Sequence, residues 1–173
     1  MATGLALDRT LLQELAGALD MASRTLAHCP RCGNLTDRDE ALCRSCADPK
    51  RSDRLLCVVE TLDELRMLQR MPGFEGRYFC LLGRLSPVRG EAVPEDRLRL
   101  LLARIRDESV GEIILATGAD AEGEATFSYL RERLSGLSCK VSRLASGIPT
   151  GSGLSHVDPV TLARALAGRT TVA

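Results

Sequence analysis

Apolar residues repeat along this chain in two different ways. From about Asp8 to Ala27, Leu12, Leu15, Leu19, Ala22 and Leu26 recur at three- and four-residue spacing, one stripe of a helix, with Thr10 and Gln13 as a capping box at its start. A polar segment, ADPKRSDR around Pro49, marks a boundary. Beyond it LLCVVE (55–60), RYFCLLG (77–83), EIILAT (112–117) and KVSRLA (140–145) are almost continuously apolar, as strands covered on both faces require. Helical patterns fill the gaps: TLDELRMLQRM, then PEDRLRLLLARIRDE with Pro94 at its start, then EGEATFSYLRERL. A last helix, DPVTLARALAG, has Asp158 as cap, Pro159 in its first turn and Gly168 at its end. Strand and helix alternating over connections of this length predict an α/β fold on a parallel sheet.

The stretch between these regimes, CPRCGNLTDRDEALCRSC (29–46), has too few apolar residues for a core and carries two C-x-x-C pairs. One pair alone suits thioredoxin-like redox chemistry; two within one short loop form the pattern of a tetrathiolate zinc site on Cys29, Cys32, Cys43 and Cys46, with disulfides or a redox centre as the alternatives. Pro30, Gly33 and Ser45 suit tight turns whose N–H groups point at sulfur. His28 precedes the first ligand, but four thiolates already complete a tetrahedron. Cys57, Cys80 and Cys139 lie in or beside apolar runs and are expected to be buried free thiols. The start of the chain has acidic and polar residues where a signal peptide needs an apolar stretch, and no run is long enough to span a bilayer, which points to a reducing, intracellular setting.

With 23 basic and 23 acidic side chains the net charge is zero, so charge alone argues for no nucleic-acid partner. Three Phe, two Tyr and no Trp leave few platforms for stacking bases. In parallel sheets chemistry gathers at the carboxyl ends of the strands. Glu60 ends the first strand, and Asp120, Glu122 and Glu124 cluster after the third. Together they could hold Mg²⁺ through oxygen ligands; equally, Glu122 and Glu124 could serve only to favour a helix N-terminus. SGIPTGSG (146–153) is glycine-rich but lacks the G-K-[ST] of a P-loop, and is expected to be a turn or interface loop.

Glu60 after an apolar strand, followed later by DAEGEA, resembles the Toprim domain of topoisomerases, primases and certain nucleases, whose acidic pattern is a strand-end Glu and a D-x-D. The first Asp of that D-x-D falls at Gly118 and only Asp120 stands at the second position, so one carboxylate that a strongly held Mg²⁺ would use is missing. HCPRCGNLTDRDEALCRSCADPKR, LLCVVE, GRLSP, EIILATGADAEGEAT and RLASGIPTGSGLSHVDPVTLARALAGR, in that order, resemble the RecR family of bacterial recombination mediators.

That resemblance implies a Toprim-type parallel sheet flanked by helices, preceded by a helix and a four-cysteine zinc finger and followed by a C-terminal helix. The segments are 1–28 (linking helix), 29–54 (zinc finger and connector), 55–147 (Toprim domain) and 148–173 (C-terminal loop and helix). It further implies a non-catalytic, cytoplasmic DNA-repair scaffold that acts with RecO and RecF to load recombinase at gapped DNA. One structural Zn²⁺ would sit on Cys29, Cys32, Cys43 and Cys46, and Glu60, Asp120, Glu122 and Glu124 would form a partner-binding face. The competing reading is a Mg²⁺-dependent Toprim nuclease or primase-like enzyme using those same four acids. Members of the family begin with a helix-hairpin-helix module, and residues 1–27 match only the linking helix after it. The expectation is therefore a dimer rather than a ring tetramer, with weak DNA contact through Arg31, Lys50, Arg51 and Arg54, side chains that serve solubility equally well.

Overall fold

The chain is described from a computed structural model that covers residues 8–145 and 147–171. Helix α1 (Arg9–Thr25) is capped by Asp8, whose carboxylate accepts from the N–H groups of Thr10 at 3.0 Å and Leu11 at 3.1 Å. This displaces the expected capping box at Thr10 and Gln13: an aspartate two residues earlier serves the same orphan donors and adds a negative charge at the positive end of the helix. None of α1 is buried, and Leu11, Leu12, Leu15 and Leu19 stay exposed. Leu26 leaves the helix to open a small antiparallel hairpin, β1 (Leu26–His28) with β2 (Leu35–Asp37), which frames the first cysteine pair. The short α2 (Arg44–Ala47) carries the second.

The main sheet is parallel and contains β3 (Ser52–Val59), β4 (Gly76–Cys80), β5 (Glu112–Ala116) and β6 (Lys140–Arg143) in the order β4-β3-β5-β6. The connecting helices are α3 (Leu62–Gln69), α4 (Glu95–Asp107) and α5 (Ala121–Leu134), and α6 (Pro159–Ala167) closes the described chain. Alternation along β3 divides the core. Leu56 and Val58 face Leu98, Leu101 and Ile105 of α4 and Leu130 and Leu134 of α5, while Cys57 and Val59 face Leu65 of α3 with Tyr78 and Cys80. Burial pushes the Cys57 thiol up to about 12, so it is an inert apolar group. Thr61 caps α3 through a full capping box with Glu64, and Asp158 caps α6 as expected. No described helix is long and apolar enough to cross a membrane.

The second strand ends at Cys80, not at Gly83, because the chain turns sharply at Leu82 (φ 56°) and the following loop crosses the strand ends to reach α5, where the Leu85 N–H donates to Thr126 Oγ1 at 2.9 Å. The chain steps from β3 to β4 on one side and from β5 to β6 on the other. The carboxyl ends of β3 and β5 are therefore a topological switch point, where α/β sheets open a crevice.

The N-terminus of α5 presses against the floor of that crevice so closely that a Cβ on Gly123 would overlap the Gly118 carbonyl. Gly123→Ala is expected to destabilise the fold by about 1–3 kcal/mol. Gly17→Ala in α1, which has open space around it, should cost nothing and should gain helix propensity. Urea unfolding of the two variants checks the contrast.

Candidate functional site

Two turns bring the four cysteines together. In the first, the Gly33 N–H donates to the Cys29 carbonyl at 2.8 Å and Gly33 takes φ +81°, a conformation that favours glycine. In the second, the N–H groups of Cys46 and Ala47 donate to the Cys43 carbonyl, both at 2.9 Å. The four Sγ atoms all lie within 4.8 Å of one another and are buried. Zn–S bonds of about 2.3 Å in a tetrahedron need sulfurs about 3.8 Å apart. The Cys32 and Cys43 sulfurs are 3.5 Å apart, well beyond the roughly 2.0 Å of a disulfide. Backbone N–H groups of Asn34 and Cys43 point at the sulfurs of Cys32 and Cys29, both at 3.4 Å, as they do toward thiolates.

Without a cation the cluster cannot ionise uniformly. Hydrogen bonds from Cys32, Cys43 and Cys46 hold the Cys29 thiol far below its ordinary range, while the bond to Cys29 pushes Cys32 and Cys46 far above theirs. A divalent ion removes that conflict, so the donor set is compatible with zinc. His28 is not a ligand: its Nδ1 sits 2.9 Å from the Gly33 carbonyl and braces the turn.

The crevice at the switch point holds the acidic residues, each already matched to an arginine or a backbone donor. Glu60 is fully buried, and its Oε2 accepts from the Gly118 N–H at 3.0 Å. Asp120 is the N-cap of α5 and accepts from the Gly123 N–H at 2.9 Å; that bond, with Arg84, holds its carboxyl below the ordinary range. Arg84 stands among three acids, 2.5 Å from Asp120, 3.4 Å from Glu122 and 3.7 Å from Glu60. Ser86 and Arg89 complete Glu122, the arginine at 2.7 Å. Glu124 receives both Arg143 nitrogens, at 3.0 and 3.2 Å, and Arg164 at 3.2 Å.

These residues do not fit a strongly held Mg²⁺. A guanidinium takes the cation's place, and position 118 offers a backbone N–H where a carboxylate would be needed; a Cβ there would meet Asp120 Oδ1 at 2.9 Å. Arg84 and Ser86 carry no role in the sequence reading. Their signal was their place in GRLSP, just beyond the carboxyl end of an apolar strand.

The Toprim domain family matches residues 54–145, and the family described as RecR, C-terminal, matches residues 147–170. The chain is 48% identical over 156 residues to the recombination protein RecR of Anaeromyxobacter sp. (strain Fw109-5), covering 90% of this chain and 78% of that one. It is 46% identical to RecR of Moorella thermoacetica (91% and 78% covered) and 41% identical to RecR of Thermobifida fusca (95% and 82% covered). The chain belongs to the RecR family. The Toprim match covers the main sheet, and the four-cysteine cluster lies just ahead of it in this member of the family.

Two of the four basic residues assigned to DNA are committed to the fold of this RecR chain. Arg31 binds Asp53 at 2.5 Å and Glu108 at 2.9 Å, and its pKa is raised foremost by the Glu108 hydrogen bond. Arg51 donates to the carbonyls of Phe74 at 3.2 Å and Gly76 at 2.9 Å and covers the Tyr78 ring. Both guanidiniums are thus already engaged within the fold. Lys50 and Arg54 are exposed and have no ion-pair partner among the described residues.

The Arg143 hydrogen bond is the main cause that holds Glu124 below the ordinary carboxylate range. Its stabilising contribution is therefore complete above about pH 4.3 and lost as pH falls through the lowered folded value. Glu124→Gln should flatten the acid limb of the stability curve by less than about 1 kcal/mol, since the pair is partly exposed, and urea titrations from neutral pH to pH 3 measure it.

Proposed function

We propose that the chain is a non-catalytic recombination mediator scaffold of the bacterial cytoplasm, meeting RecO- and RecF-type proteins at its Toprim crevice and holding one structural Zn²⁺ in the four-cysteine loop. The observation that carries this reading is Arg84 among Glu60, Asp120 and Glu122, a guanidinium in the place where a Toprim enzyme needs its metal. Glu60 is buried and supports the face from beneath; Asp120, Glu122 and Glu124 with their arginines form its outer layer. Segment 29–54 serves the metal and DNA side, where Lys50 and Arg54 meet phosphate weakly, and segment 55–147 serves the partners. A homodimer fits the exposed leucines of α1.

Reversing Glu122 and Glu124 to Lys should weaken binding of a RecO-type partner by about tenfold at low salt, mainly through the association rate, with the thermal transition retained. Unchanged binding argues against the face. Labelled single- and double-stranded DNA incubated with Mg²⁺ or Mn²⁺ should be neither cut nor extended; turnover abolished by Glu60→Gln would establish the enzyme reading instead.

Elemental analysis of the reduced, folded chain should find one zinc. Cys43→Ser removes a thiolate and should lower occupancy by tenfold or more at equal free metal, an estimate on the order of a lost ligand bond. A folded, metal-free native chain refutes the zinc assignment.

A further inference from the structure

Between the cysteine loop and the sheet lies a layer of arginines that none of these roles uses. Arg77 of β4 is buried, with Nε 2.9 Å from Asp53 and Nη1 donating to the carbonyls of Ser45 at 2.8 Å and Cys46 at 3.1 Å. Arg31, between the first two cysteines, shares Asp53, reaches Glu108 and donates to the Cys46 carbonyl at 3.3 Å. Arg104 of α4, buried, shares Glu108 at 2.9 Å and donates to the carbonyls of Tyr78 at 2.9 Å and Arg31 at 3.3 Å. Arg97, two helical turns earlier on the same face, is buried over the Phe79 ring, donates to the Cys80 carbonyl at 2.6 and 3.2 Å, and fills the space where a Cβ on Gly33 would stand.

Buried charge is costly unless something opposite compensates it. Arg31, Arg77 and Arg104 share two carboxylates, Asp53 and Glu108, and Arg97 pairs with neither, so four arginines against two acids leave two positive charges without an acid in this layer. Nearby acids do not supply the balance: Asp48 pairs with Arg51 at 3.7 Å, and Asp96, which acts on Arg97 from one residue earlier in the helix, is exposed and screened by solvent. Four thiolates around a divalent cation carry two negative charges, whereas disulfides and protonated thiols carry none.

We infer that the arginine layer is the built-in counter-charge of a doubly negative metal–tetrathiolate centre, with Arg97 as a positioning residue beside the first cysteine turn. Metal occupancy and docking of the loop onto the sheet then form one equilibrium. This rests on the zinc reading of the four cysteines, and it excludes a neutral disulfide form as the docked state.

The test titrates the full reduced chain with Co²⁺, whose visible absorbance reports tetrahedral sulfur ligation, and then with Zn²⁺ against a chromophoric chelator. Arg97→Leu should weaken metal binding by about 10- to 100-fold, the usual loss when a group supporting the ligands is removed. Arg97→Lys, which keeps the charge without the fork, should recover most of it. If Arg97→Leu does not fold, Arg104→Met at the other end of the layer carries the same expectation. A native chain that binds no metal sinks the zinc reading itself. Native affinity in Arg97→Leu, or a lysine variant as weak as the leucine variant, leaves that reading standing and overturns the counter-charge.

Discussion

A carboxylate buried at the end of a central strand constrains the whole upper surface of this protein. Glu60 leaves β3 with no access to solvent, so its charge must be met from within. One oxygen takes the Gly118 N–H, while the other makes no hydrogen bond and faces Arg84 Nε at 3.7 Å, an ion-pair contact only. Both demands shape neighbouring chain. Position 118 must bring its backbone close, which suits glycine, and the loop after β4 must turn through a left-handed leucine to carry Arg84 over the strand ends. Asp120 caps α5 and binds Arg84 with the same carboxylate, so helix start, loop path and crevice charge are settled together.

A similar economy operates at the other end of the sheet. The cysteine loop has almost no apolar surface of its own, and it is attached by charged hydrogen bonds to backbone carbonyls rather than by packing. Such bonds tolerate no rotation, because a guanidinium displaced from its carbonyls is a buried charge left unpaired. The loop therefore has one seat on the sheet.

Much of this was legible in the sequence, for identifiable reasons. β3, β4 and β5 announced themselves because strands covered on both faces are nearly continuous in apolar residues, whereas the edge strand β6 is mostly polar and showed only by its place after α5; the cysteines stood out because two C-x-x-C pairs in one short loop form the pattern of a tetrathiolate site. The β1–β2 hairpin was not legible: strands of three residues are too short to show alternation. Arg97 and Arg104 carry no role in the sequence reading, because arginine usually lies at the surface, although their seven-residue separation, with Leu101 between them, places them on the buried stripe of α4. A basic side chain near a loop looks free until the carbonyls it serves are seen. Arg84 escaped notice because its partners lie 24, 36 and 38 residues away in the chain, at Glu60, Asp120 and Glu122.

The attachment of the loop has a further effect on the sheet it sits on. β4 is an outermost strand, and its outward-facing hydrogen-bonding groups would otherwise be a template for a strand from another molecule. Several of them are taken: the Cys80 N–H donates to the Cys32 carbonyl at 2.8 Å, Arg104 covers the Tyr78 carbonyl and Arg97 the Cys80 carbonyl. The cysteine loop is thus also the guard on an aromatic, apolar edge, and damage to it exposes GRYFC to pairing between chains.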